Sequence, residues 1–202
     1  MNRIKYIGLL GIVMLAFLVK AQDVTSNIET AKNSYSAQNY DQARVAIQQA
    51  MAELNKKVAN EVIALLPQTI NQFSCQTSQD MVSGWEMGLM SLTVSRNWDS
   101  ETNSISFSVM GNSPLVASIN AALSMPMMMG AGNPNQKKTN IEGYKALLEK
   151  QVDENQQISG YSLMVPFQSS LIQLNYSGPI AEQDFLNIVA QIPVSKITQL
   201  MQ

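Results

Sequence analysis

The stretch MSLTVSRNWDSETNSISFSV, residues 90–109, decides the fold. Met90, Leu92, Val94 and Trp98 alternate with Ser91, Thr93, Ser95 and Asn97. Ile105, Phe107 and Val109 alternate with Ser104, Ser106 and Ser108. Alternation with a period of two marks a strand that buries one face and wets the other. Asp99-Ser100-Glu101-Thr102 supplies turn formers between the two runs. The segment therefore reads as an antiparallel hairpin with one solvated face.

Downstream, Ser113-Pro114 offers a cap followed by proline at a first helical position. The helix it opens is expected to bury Leu115, Ile119, Ala122 and Leu123 and to end near Met125-Pro126. A loop with Gly130, Gly132 and Pro134 follows. Three more strands are expected, over 140–148, 156–165 and 170–176. Phe185, Ile188, Val189 and Ile192 share a helical face, and Val194, Ile197 and Met201 suggest another helical turn after Pro193. Short polar connections favour antiparallel pairing.

Upstream, residues 67–86 read as a polar connector holding Cys75 and Gly84-Trp85. Before it, Ser26-Asn27-Ile28-Glu29 has the form of a capping box that opens a helix running to about Ser36. Asn39-Tyr40-Asp41-Gln42 starts a second helix. Its apolar residues Ala43, Ile47, Ala50, Met51, Leu54, Val58, Val62 and Leu65 recur at offsets of three and four until Pro67. That helix should span roughly 26 residues, about 39 Å at 1.5 Å per residue. The fold class is therefore α+β: an N-terminal helical hairpin, then an antiparallel sheet of about five strands with packed helices.

Residues 31–51 resemble one tetratricopeptide-type hairpin, with Tyr40, Ala43, Ile47 and Ala50 where that repeat keeps its packing residues. No second copy follows at a 34-residue offset, so a repeat groove for peptides is not implied. Leu65-Leu66-Pro67, Gly84-Trp85 and Ser113-Pro114-Leu115, with two strands between the last two motifs, resemble uncharacterised secreted bacterial proteins with a PsbP-like α+β domain. The resemblance spans about residues 65–200 and implies a fold rather than an activity.

The first residues read as an address. Arg3 and Lys5 precede an apolar run from Tyr6 to Val19, and Lys20-Ala21-Gln22 closes it. This is the order of a secretory signal peptide, with the cut expected after Ala21. The run falls short of the roughly 20 residues that span a bilayer. Three segments are thus expected: 1–21 signal peptide, 22–67 helical hairpin and 68–202 α+β domain. Cleavage would remove three of the 13 basic side chains and none of the 15 acidic ones, moving the net charge from −2 to −5. No stable membrane span is expected after cleavage.

Composition narrows the chemistry. Of the 202 residues, 14% are charged, none is His and one is Cys. Without His there is no Ser-His-Asp or Cys-His arrangement, and with one Cys no intrachain disulfide or cysteine zinc cluster. Basic residues gather only in pairs such as Lys56-Lys57 and Lys137-Lys138, too few to track phosphates, so no nucleic-acid partner is expected. Gly130-Ala131-Gly132 lacks the preceding strand and the Lys of a phosphate-binding loop.

The remaining candidates each have a plainer alternative. Met125, Met127, Met128 and Met129 could hold Cu(I) through soft thioethers, or simply fill gaps over the sheet. Cys75 has only Ser74, Gln76 and Thr77 beside it, with no cation to activate a thiolate. Glu86, Asp99, Glu101, Asp153 and Glu154 read mainly as solvated turn charges. Trp98, Phe107, Tyr161 and Tyr176 could line an apolar ligand pocket between sheet and helices, or pack a core, as could Trp85 and Tyr144. The expectation is an exported, non-enzymatic protein, periplasmic or extracellular, with no cofactor. Its role would be that of an adaptor or assembly factor whose partner is another envelope protein. Carriage of a small apolar ligand is the alternative, and copper binding at the methionine loop a more distant one.

Overall fold

The computed structural model describes residues 23–84, 91–125 and 133–202. The expected signal peptide, Trp85, Glu86, Met90 and Met127–Met129 lie outside the described residues. Two helices open the described chain, α1 (Val24–Ser36) and α2 (Tyr40–Leu65). The α1 cap is Asp23, whose carboxylate accepts from Ser26 N at 2.8 Å, so the expected Ser26 capping box gives way to a start one turn earlier. An Asp there meets the orphan N–H groups and also the positive end of the helix. Asn39 caps α2 as expected, accepting from Gln42 N, and α2 has 26 residues.

The rest is a nine-stranded antiparallel sheet among the described residues, rather than one of about five strands. The strands are β1 (Thr69–Ile70), β2 (Phe73–Cys75), β3 (Met81–Ser83), β4 (Thr93–Asp99), β5 (Ser104–Met110), β6 (Gln136–Ile141), β7 (Tyr144–Val152), β8 (Ile158–Phe167) and β9 (Ser170–Ser177). Their order is β1-β2-β4-β5-β9-β8-β7-β6, and β3 also pairs with β4. The β4–β5 hairpin pairs Trp98 with Ile105, Arg96 with Phe107 and Val94 with Val109. Three of the additional strands, β1 to β3, come from the stretch read as a polar connector. The fourth arises because the run 140–148 is broken by a turn at Glu142-Gly143, both at positive φ, which pairs Ile141 with Tyr144. Paired positive φ values suit the twist of a two-residue hairpin turn.

Three further α-helices complete the fold among the described residues: α3 (Val116–Ser124), α4 (Glu182–Val189) and α5 (Val194–Leu200). The C-terminal half of α2, with α4 and α5, covers one face of the sheet. That core includes Val62, Trp98, Phe107, Leu163, Tyr176, Phe185 and Ile197. Helix α3 covers part of the other face through Val116 and Ile119 against Leu147 and Leu171. Leu115, expected inside, is 49% exposed. Ser113 accepts from Val116 N through its carbonyl, so a turn precedes the helix and Val116 sets its phase. No helix among the described residues is long and apolar enough to cross a membrane.

Candidate docking surface on the helical hairpin

The N-terminal part of the hairpin packs its small side chains inward. Ala31 of α1 and Ala43, Ala46 and Ala50 of α2 are buried. The large apolar side chains point out: Ile28, Tyr35, Ile47 and Leu54 are 57%, 68%, 52% and 49% exposed. They line a groove of about 470 Å³ together with Val24, Met51, Ala31, Ala43 and Ala50, and among the described residues Lys32 is its one charged lining residue. Tyr40 extends the surface, its ring edge-to-face with Tyr35 at 5.8 Å. Sequence periodicity put Ile47 and Leu54 on the buried face of α2; the structure leaves them open. The offset Ala43-Ala46-Ala50 was the available signal, because alanines let two helices approach and turn the neighbouring large residues outward.

The hairpin is held firmly to the sheet at its other end. Arg96 sits on the core face of β4 with 2% exposure. Its Nε donates to Asp80 Oδ1 at 2.9 Å and its Nη2 to Asp80 Oδ2 at 2.6 Å. Its Nη1 donates to the Ile63 and Leu66 carbonyls at 3.2 and 3.0 Å, at the C-terminus of α2. The guanidinium is pushed further above its already high value by the hydrogen bonds to Asp80, so it stays charged. Trp98 Nε1 donates to the Pro67 carbonyl at 2.9 Å. Charge and hydrogen bonds thus converge where α2 hands over to the sheet.

Trp98, Phe107, Tyr161 and Tyr176 are brought onto one face of the sheet, each 4% exposed or less. The Tyr161 ring stacks on Phe185 at 5.4 Å, and Tyr176 packs edge-to-face against Phe73 and Phe185. Burial raises the phenol pKa of both tyrosines, with the Glu182 charge adding to the effect at Tyr161. In this conformation the four rings serve as packing.

The opposite face carries a polar row. Asn175 Nδ2 donates to Ser106 Oγ at 3.2 Å, and Asn175 Oδ1 accepts from Ser162 Oγ at 2.7 Å and from Gln173 Nε2 at 3.1 Å. These side chains satisfy one another across β5, β9 and β8, so the row is already engaged. Met125 is 65% exposed. The Cys75 thiol lies 3.1 Å from Gln68 Oε1. Asp153 Oδ1 accepts from the Asn155 and Gln157 amides, which makes it a turn former. Among the described residues no group of three or more His, Cys, Asp or Glu gathers to hold a metal ion. Compared with known proteins, the chain matches no family model, no curated protein and no solved structure.

Proposed function

We propose that the protein is an exported adaptor or assembly factor of the cell envelope and that the α1–α2 hairpin is its docking surface. The observation that carries this reading is the inverted packing of the hairpin, with alanines inside and Ile28, Tyr35, Ile47 and Leu54 outside. Leaving such side chains half in water forgoes roughly 1 kcal/mol each, which a partner's apolar surface would recover. The groove is almost wholly apolar, as the centre of a protein interface is. The Arg96 anchor supports the reading, since a rigid mount lowers the ordering cost of binding.

A photo-crosslinking residue at position 47, in cells that export the protein, tests the proposal. Adducts of one reproducible mass from position 47, and none from position 60 on the opposite side of α2, support it. Loss of adducts at both 47 and 54 overturns it. N-terminal sequencing of the envelope fraction tests export separately: a chain beginning at Gln22 is the expected result, and an intact Met1 start in the cytosol overturns it.

A further inference from the structure

We infer that the partner on the hairpin face is a second copy of this chain, the two hairpins closing as an antiparallel four-helix bundle. The inference rests on the reading of the hairpin as a docking surface and names its occupant.

A two-helix hairpin with an alanine seam is half of such a bundle. Its helices are joined by a connection of three residues, 37–39, as antiparallel bundle neighbours are. What it lacks is the layer of large side chains at the bundle centre, and Ile28, Tyr35, Ile47, Met51 and Leu54 stand where that layer belongs. A twofold axis through the groove would set these side chains against their own copies, so the same patch serves both sides.

The size of the patch fits this occupant. With Tyr40, the exposed side chains offer on the order of 400 Å² of apolar surface. A standard interface takes about 800 Å² from each partner, and homodimer interfaces are about 65% apolar. The patch therefore supplies most of the apolar share of one half-interface, and the remainder of the hairpin surface supplies the rest.

Charge agrees. Residues 23–65 hold five acidic side chains (Asp23, Glu29, Asp41, Glu53 and Glu61) and four basic ones (Lys32, Arg44, Lys56 and Lys57). The hairpin is close to neutral, and its groove carries Lys32 alone. A surface selected for a partner of opposite charge would carry one sign. The one charge that a twofold axis brings near its own copy is Lys32, whose long stem lets the ammonium reach the wet rim.

Sedimentation equilibrium of the full exported chain over a range of concentrations tests the inference. The expected result is a dimer mass, reduced to a monomer mass by Ile47→Lys or Leu54→Lys with unchanged circular dichroism, and unaffected by Leu115→Lys at an exposed site on the sheet domain. A monomer at all concentrations overturns it, as does a dimer that survives both hairpin substitutions. Should the lysine variants fail to fold, a photo-crosslinker at position 35 in the otherwise unchanged chain decides. Adducts of twice the chain mass support the inference. Adducts solely to a helix of a different exported protein overturn it while leaving the docking reading intact, and no adduct of any kind overturns both.

Discussion

Arg96 and Asp80 meet through two parallel hydrogen bonds, of 2.9 and 2.6 Å, while the same guanidinium closes the carbonyl end of α2. The planar fork satisfies a carboxylate and two main-chain oxygens at once, which an ammonium on a flexible stem does not reproduce. Arg96→Ala should cost about 3 kcal/mol, because it leaves Asp80 and the α2 carbonyls without their donor in a largely buried place. Arg96→Lys should recover only part of that loss. Urea unfolding of the three chains checks the order, wild type above lysine above alanine. Equal stability of the alanine variant and wild type would remove this anchor from the account.

The two core tyrosines make a prediction about alkali. Tyr161 and Tyr176 have phenol pKa values raised by burial. The folded chain therefore holds these protons more tightly than the unfolded chain does. Their contribution to stability is full below the unfolded pKa of about 10 and declines as pH rises above it. Stability measured by denaturant should thus fall with pH in that range. Ultraviolet titration should show Tyr161 and Tyr176 ionising above the ordinary phenol range. Ionisation of both phenols within that ordinary range, in chains that keep native circular dichroism, would contradict it.

Gly143 carries the second positive φ, +94°, of the β6–β7 turn, after Glu142 at +48°. A Cβ at Gly143 would meet no atom within 4 Å, so the constraint there is backbone conformation rather than space. Gly143→Val should cost about 1–3 kcal/mol through strain alone. The loss should be local, since β6 is an edge strand and among the described residues pairs only with β7. Hydrogen exchange checks it: amides of residues 136–141 should exchange faster, and those of β5 and β9 should hold.

How far residues spoke for themselves depended on length and on neighbours. The run 104–110 was legible because Ile105, Phe107 and Val109 enter the core while the serines between them stay on the wetter face, so period and burial coincide. Strands β1 to β3 have two or three residues each, too few for any period to show. Arg96 occupies a core-facing step of β4, and its charge hid the strand's full alternation. Its partner Asp80 is 16 residues away, and no local pattern connects them. Glu142-Gly143 is a weaker turn signal than Asn-Gly, so two strands read as one. The open apolar face of the hairpin was half legible. The offsets showed that α2 is amphipathic, but its wide apolar stripe does not say which part faces α1, the sheet or water. That division belongs to tertiary packing.

Lys138 provides a last test, on the opposite side of the sheet from the hairpin. Its ammonium donates to the Leu123 carbonyl at 2.8 Å and also to the Met125 carbonyl. Both acceptors belong to the end of α3, where the final carbonyls have no partner within the helix. A cation there also meets the negative end of the helix. Helix α3 has nine residues and buries only Val116 and Ile119, so its last turn depends on this cap more than a longer helix would. Lys138→Met keeps an apolar stem of similar length and removes the donor. It should lower global stability by about 0.5–1 kcal/mol. Exchange of the Ser124 and Met125 amides should speed up while the amides of α4 stay protected. Unchanged exchange at those two amides would mean that packing on Leu147 and Leu171, rather than the lysine, holds the end of α3.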